Sequence, residues 1–127
     1  MVKQITSSEL KELKDLKGHY LIDVRTPEEW EVIGRPDGEA LGLTTHFVSY
    51  QFQQGEGRIP NPNFEQEMDA LNLDKSKKLY FICRSGVRSN ATAEIYQNKG
   101  FDTYNISSGF YVDDVTPSWK IDKLPTK

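Results

Sequence analysis

Residues Lys78 to Lys99 read KLYFICRSGVRSNATAEIYQNK, and the only cysteine of the chain, Cys83, stands where their apolar run ends. The run from Leu79 to Ile82 is short and is followed by turn residues, which predicts a buried strand. A helix-like segment begins after a short polar loop. The sequence therefore predicts a thiol at the junction of a strand and a helix.

The loop after Cys83 is suited to holding an anion. Backbone N–H groups at the start of a helix are unpaired and carry partial positive charge, so they stabilise a negative group in the preceding turn. Arg84 and Arg88 add full positive charges, and Gly86 permits the positive φ that lets successive N–H groups converge. We therefore expect Cys83 to react as a thiolate nucleophile near neutral pH.

Length and composition restrict the class of protein. The 127 residues suit one domain, predicted to span residues 1–127, and the 36% hydrophobic and 28% charged content argues against disorder. A net charge of −3 without a basic stripe argues against nucleic acid as a partner. No apolar run reaches the roughly twenty residues of a membrane span, and the N-terminus lacks a signal-like apolar segment, so we expect a cytoplasmic protein without membrane contact.

A single cysteine excludes an intramolecular disulfide and cannot by itself form a zinc site. We therefore expect no metal and no cofactor. A reducing compartment would keep this thiol free, and any resolving thiol would have to come from another molecule.

Two stretches have the spacing of a capping box, Thr6 with Glu9 and Thr26 with Glu29, and each predicts the start of a helix. Pro27 strengthens the second because proline suits the first helical position. The first helix is predicted to continue through a leucine stripe that stops at Gly18. Between the two helices, residues 20–24 form a short apolar run that predicts a buried strand.

Two charged residues, Asp23 and Arg25, point to one face at the end of that strand. We expect them to form an ion-paired brace below the Cys83 loop. A direct part in the chemistry is the alternative.

The remaining elements are predicted from apolar patterns of varying clarity. Phe64, Met68 and Leu71 recur at helical spacing, which predicts an amphipathic helix. A short strand is predicted over residues 40–44. Residues 46–63 are predicted to be helical in their first half and a loop in their second half. A helix from Ser89 to Gly100, a strand over residues 103–106 and a last helix-like piece before Pro117 complete the assignment. Helices and strands thus alternate, and the strands are apolar runs, which favours a parallel sheet with helices on both faces. Ligands of such sheets bind at the carboxyl ends of the strands, where Cys83 falls.

These motifs together resemble the rhodanese (sulfurtransferase) superfamily over nearly the whole chain. The segments that carry the resemblance are Leu21–Trp30, Cys83–Ser89, Gly100–Phe101, Tyr104–Ile106 and Ser108–Gly109. The resemblance implies a single three-layer α/β domain with a mostly parallel, five-stranded sheet and a cysteine that carries sulfur as a persulfide. The chain departs from the family pattern where Gly34–Ala40 replaces a compact His-Ile-Pro-Gly-Ala turn and a long aromatic insertion follows.

The expected activity is that of a thiosulfate sulfurtransferase. A sulfane sulfur would move from a small anionic donor, or from a protein donor, to a thiol or to cyanide through a Cys83 persulfide. The predicted site has Cys83 as the catalytic residue, Arg84, Ser85, Gly86, Val87 and Arg88 as substrate-binding residues, and Asp23, Arg25 and Ser89 as supporting residues.

Other interpretations remain open for the same residues. In the simplest interpretation, Cys83 is an ordinary core cysteine. In a second interpretation, the domain is a persulfide carrier or a redox-sensing module with little turnover of its own. A cysteine-dependent phosphatase or arsenate reductase is disfavoured, because such phosphatases place five residues between cysteine and arginine, whereas four separate Cys83 from Arg88. His46 lies in the insertion and is not assigned as a base, and His19 is expected to be exposed.

Overall fold

A computed structural model describes residues 2–127 and contains a parallel sheet of five strands in the order β1-β7-β6-β2-β3. The strands of the chain are β1 (Lys3–Ile5), β2 (Tyr20–Asp23), β3 (Thr44–Phe47), β4 (Gln51–Gln54), β5 (Gly57–Pro60), β6 (Lys78–Ile82) and β7 (Asp102–Ile106). β4 and β5 stand apart from the sheet as an antiparallel hairpin. The predicted parallel α/β architecture is confirmed.

The four α-helices of the described chain are α1 (Ser7–Glu12), α2 (Pro27–Ile33), α3 (Phe64–Asp69) and α4 (Val87–Asn98). Both predicted capping boxes are present. The hydroxyls of Thr6 and Thr26 accept from the N–H groups of Glu9 and Glu29, and the two glutamate carboxylates accept in return from the threonine N–H groups. α1 is shorter than predicted, because the chain turns into an extended conformation at Leu13. A short 3₁₀ helix covers Gly38–Leu41.

Two apolar cores lie on the two faces of the sheet. Successive side chains of a strand point to opposite faces, so Tyr80 and Ile82 join one core and Leu79, Phe81 and Cys83 join the other. The first core includes Leu10 of α1 and has Ile33 of α2 packed against it, together with Phe110 and Trp119 from the C-terminal segment. The second includes residues of α3 and α4. Cys83 therefore faces the helix that follows it in sequence.

Several predicted elements are wrong in detail. The strand predicted over residues 40–44 is misplaced: the Asp37 carboxylate accepts from the Ala40 N–H and starts the 3₁₀ helix, and β3 begins only at Thr44, which pairs with Tyr20. Residues 46–63 contain no helix but the end of β3 and the β4–β5 hairpin, with Gly55 at its turn. β1 was not predicted, because only Ile5 of its three residues is buried. No regular helix follows β7 in the described chain.

None of the helices within residues 2–127 combines the length and the apolar character that a membrane crossing requires.

Candidate functional site

Cys83 lies directly after the central strand β6 and is 1% exposed. Its Sγ accepts a hydrogen bond from the Gly86 N–H at 3.2 Å and lies 3.2 Å from the Ser89 Oγ. Gly86 has φ +97°, and a Cβ at this position would lie 2.6 Å from the Ser107 carbonyl oxygen. Glycine is therefore required both for the backbone conformation and for the close approach of the loop to the turn after β7.

The loop presents further donors at the start of α4. The first helical hydrogen bond runs from the Asn90 N–H to the Gly86 carbonyl at 3.2 Å. The N–H groups of Val87, Arg88 and Ser89 have no backbone acceptor within residues 2–127, as expected of a helix N-terminus. Their partial positive charge favours an anion beside Cys83.

A cavity of about 340 Å³ lies over the thiol. Its lining consists of Gln51, Arg58, Cys83, Arg84, Ser85, Val87 and Arg88. A second cavity of about 290 Å³ shares Arg58 and Arg84 with the first and continues along Ile33, Tyr111 and Val112. The β4–β5 hairpin thus supplies the wall opposite the loop, and this wall carries a third arginine.

The three arginines differ in how far their charge is compensated. Arg88 is 7% exposed, and its two terminal nitrogens donate to the Glu29 carboxylate at 2.7 and 2.9 Å. Arg84 and Arg58 are exposed, and neither lies within 4.0 Å of a carboxylate in the described part of the chain. The positive charge that remains free for a bound anion therefore comes from Arg58 and Arg84.

Glu29 is held in its charged form. Burial alone would raise its pKa, but hydrogen bonds from Arg88 and from the Thr26 N–H, with the charges of Arg88 and Arg58, outweigh burial and lower the pKa to about 2. The same carboxylate closes the capping box of α2. Glu29 thereby connects α2 with the helix that begins at the Cys83 loop.

Asp23 and Arg25 form a buried ion pair at the end of β2. The Arg25 Nε donates to one Asp23 oxygen at 3.0 Å, and the Arg25 Nη2 donates to the other at 2.7 Å. Both side chains are at most 1% exposed. Arg25 also donates to the Gly34 carbonyl at 2.8 Å and lies over the Phe110 ring at 4.1 Å. These contacts occupy the Arg25 guanidinium with partners inside the fold, although Arg25 also lines the second cavity.

The structure brings to the site four residues that the sequence did not assign to it. Arg58 and Gln51 come from the hairpin, Glu29 from the start of α2, and Asn105 from β7, where its Oδ1 lies 2.6 Å from the Ser89 Oγ. Asn105 carried one usable signal, a polar residue inside an otherwise apolar strand. Arg58 carried none, since its segment had no recognisable strand pattern.

The two histidines lie away from the thiol. His19 is half-buried, not exposed as predicted, because its Nδ1 accepts from the Lys78 N–H at 2.8 Å at the amino end of the sheet. His46 belongs to β3, and it does not line the cavity over Cys83. Within residues 2–127, no group of three or more His, Cys, Asp or Glu side chains is arranged to bind a metal ion.

The geometry defines a class of α/β proteins in which a cysteine at the carboxyl end of a central parallel strand faces an anion-binding helix start. The chain belongs to the rhodanese-like domain family, whose model matches residues 6–112.

Individual relatives extend over most of the chain. Uncharacterized protein RP600 of Rickettsia prowazekii is 35% identical over 108 residues, covering 84% of this chain and 80% of that protein. Putative sulfurtransferase YtwF of Bacillus subtilis is 34% identical over 109 residues, covering 85% and 86%. The crystal structure of Rv0390 from M. tuberculosis superposes with a TM-score of 0.81 at 29% identity, covering 99% of this chain and 97% of that one.

Proposed function

We propose that this protein is a sulfurtransferase in which Cys83 accepts a sulfane sulfur from a small anionic donor such as thiosulfate and passes it to a thiophilic acceptor. The observation that carries the proposal is the position of the Cys83 Sγ. It accepts a hydrogen bond from the Gly86 N–H, and Cys83 lines a cavity that Arg58 and Arg84 also line. A nucleophilic sulfur and an anion-binding environment are thus present at the same point.

In the first step, the Cys83 thiolate attacks the outer sulfur of thiosulfate. A new S–S bond forms, the S–S bond of thiosulfate breaks, and sulfite leaves with its electron pair. The product is a Cys83 persulfide anion, for which the unpaired N–H groups of Val87, Arg88 and Ser89 are candidate donors.

In the second step, an acceptor attacks the outer sulfur of the persulfide. With cyanide, a C–S bond forms while the persulfide S–S bond breaks, so that thiocyanate leaves and the Cys83 thiolate returns. A cellular thiol would receive the sulfur in the same way. The cycle is of the ping-pong type and requires no external base once Cys83 is ionised.

Exposed arginines at the mouth support an anionic donor. Arg58 and Arg84 border both cavities, so they can contact the sulfonate group of thiosulfate while its outer sulfur points to Cys83. Arg88 contributes less free charge, because Glu29 already neutralises it.

Intact-mass analysis after incubation with thiosulfate tests the covalent step. The wild-type protein should gain one sulfur atom, and cyanide should remove it with release of thiocyanate. Cys83→Ser should gain none, and Ser76→Ala, an exposed position in the turn before β6 that keeps the thiol, serves as the control and should gain one sulfur. Absence of a sulfur adduct in the wild type, or an equal gain in Cys83→Ser, contradicts the proposal.

A second candidate function is that of a persulfide carrier loaded by a protein donor. A protein donor would contact Val87, which lines the cavity over Cys83 and is 76% exposed. Loading by a cysteine desulfurase can be compared with loading by thiosulfate. Efficient loading by the desulfurase alone, reduced in Val87→Ser, would favour the carrier over the enzyme.

A further inference from the structure

A buried asparagine beside the thiol has its amide orientation fixed by two neighbours. Asn105 is 2% exposed, and its Nδ2 donates to the Gly86 carbonyl at 3.1 Å and to the Gln4 Oε1 at 2.8 Å. Gln4 is oriented in turn, because its Nε2 donates to the Asn90 Oδ1 at 2.7 Å. Both Nδ2 hydrogens of Asn105 are therefore in use, and its Oδ1 must face Ser89.

The hydroxyl of Ser89 has two competing acceptors. Its Oγ lies 2.6 Å from the Asn105 Oδ1 and 3.2 Å from the Cys83 Sγ. A serine carries one hydroxyl hydrogen, so it cannot donate to both. The shorter distance and the fixed amide favour donation to Asn105, which leaves the Oγ lone pairs facing the sulfur.

We propose that Asn105 is a positioning residue that, by holding the hydrogen of Ser89, withholds one hydrogen bond from the Cys83 thiolate. With a neutral thiol the chain of donors is complete, because the Cys83 S–H donates to Ser89 and Ser89 donates to Asn105. When Cys83 loses its proton to solvent, the Gly86 N–H already donates to the sulfur, and the Ser89 hydroxyl is the side-chain donor that lies within hydrogen-bond distance of it. Its hydrogen can turn to the sulfur only by leaving Oδ1 without a donor inside the protein.

The competition therefore withholds a hydrogen bond from the thiolate through Ser89 alone, while the Gly86 N–H and the start of α4 continue to stabilise it. This inference rests on the proposed reactivity of Cys83 as a thiolate but not on the identity of the sulfur donor. Sulfur transfer and proton control can consequently fail separately.

Other charges near Cys83 are the same with and without Asn105. They come from every element around the thiol: Arg84 in the loop, Arg88 of α4 with Glu29 of α2, Arg58 of β5, and the Asp23–Arg25 pair after β2. A substitution at position 105 or 89 removes none of them. With the neutral variants Asn105→Leu and Ser89→Ala, a change in the pH profile of Cys83 would thus report on the hydrogen bonds.

The test follows the rate of Cys83 alkylation by iodoacetamide as a function of pH, measured by intact mass. Asn105→Leu removes the competing acceptor and should move the profile to lower pH by about one unit, since a hydrogen bond to a charged group has roughly this effect. Asn105→Asp places a stronger acceptor beside Ser89, adds negative charge, and should move the profile to higher pH. Because the charge that Asn105→Asp adds acts on Cys83 with or without Ser89, the distinction between a hydrogen-bond effect and a merely structural one rests on Asn105→Leu.

The decisive comparison is made in a Ser89→Ala background. There Asn105→Leu should leave the alkylation profile unchanged, because the hydroxyl that links the two residues is gone. An effect of Asn105→Leu that persists in Ser89→Ala, or the absence of a shift to lower pH in Asn105→Leu, overturns the proposal. If Asn105→Leu does not fold by circular dichroism, Asn105→Ala, which also removes the acceptor without adding a charge, gives the same decision with and without Ser89→Ala. Absence of a persulfide in the wild type would overturn the proposed sulfur transfer and leave this test intact.

Discussion

Glu29 and Arg88, 59 residues apart in sequence, form a two-point ion pair that joins the start of α2 to the first turn of α4. One oxygen of Glu29 also accepts from the Thr26 N–H at 3.0 Å, so a single carboxylate completes a helix cap and neutralises an arginine of the cavity. The pair is largely shielded from water, with side-chain exposures of 15% for Glu29 and 8% for Arg88.

The first prediction concerns acid sensitivity through Glu29. Its pKa is lowered from 4.5 to about 2 in the folded protein, so the ionised carboxylate stabilises the fold above the unfolded value. That contribution, up to about 3 kcal/mol, is lost as the pH falls from about 4.5 to about 2. Urea unfolding should therefore show that the advantage of the wild type over Glu29→Gln shrinks across this window.

Glu31→Gln provides the control for Glu29→Gln, because Glu31 lies on the same helix with its side chain 71% exposed. It should change the free energy of unfolding by less than about 1 kcal/mol at neutral pH. A constant difference between wild type and Glu29→Gln down to the lowest pH would show that the ionised pair does not stabilise the fold.

The second prediction concerns Arg58. It is exposed, borders both cavities and has no carboxylate partner in the described chain, so its charge is available to a donor. Arg58→Ala should raise the KM for thiosulfate about tenfold, because one charge-assisted hydrogen bond contributes roughly 1.4 kcal/mol or more. The rate at which cyanide discharges a preformed persulfide should change much less.

Lys14→Ala matches the charge change of Arg58→Ala at a distant place. Lys14 is exposed between α1 and β2, where the chain returns to the amino end of the parallel strands, opposite Cys83. Thiosulfate kinetics should stay unchanged in Lys14→Ala. Equal effects of the two substitutions would mean that only the net charge matters and that Arg58 does not contact the donor.

The third prediction concerns Gly109 in the turn behind the loop. It has φ +71°, and a Cβ there would lie 2.0 Å from the Arg84 carbonyl oxygen. Gly109→Ala should destabilise the protein by about 3 kcal/mol or more, since strain and collision act together. It should also displace the loop and slow alkylation of Cys83.

Gly55→Ala separates the two causes in Gly109→Ala. Gly55 has φ +59°, but nothing lies within 4 Å of the added Cβ. Only the conformational strain applies, and we expect a loss of about 1 kcal/mol in thermal or urea unfolding. Similar losses at the two glycines would show that the turn adjusts and that the loop tolerates a methyl group there.

The fourth prediction concerns the buried pair of Asp23 and Arg25. Asp23→Asn would leave the Arg25 guanidinium without its counter-ion at 1% exposure, which should destabilise the fold by about 3 to 5 kcal/mol. The control Asp102→Asn breaks the exposed pair with Lys3, in which the side chain of Lys3 is 54% exposed and that of Asp102 is 41% exposed. Its effect on the free energy of unfolding should be below about 1 kcal/mol. Equal losses in urea unfolding would contradict the structural role of Asp23.

Local patterns were sufficient for much of the fold. The capping boxes at Thr6 and Thr26 were predicted and confirmed, because a cap depends on residues only three positions apart. The strand before Cys83 was likewise predicted, since a run buried on both faces is apolar throughout. β1 and β3 were missed or misplaced, because strands at the sheet edges have one neighbour and tolerate polar residues.

By itself, the sequence determined that a single cysteine follows a buried strand and precedes a helix, and it indicated the family to which the chain belongs. Only the tertiary structure decided what surrounds that cysteine: Arg58 opposite it, Glu29 on Arg88, and Asn105 on Ser89. The physical reason is the parallel sheet, which brings the carboxyl ends of distant strands to one edge. Which side chains meet there depends on strand order and loop path, and neither is encoded in any short stretch of the chain.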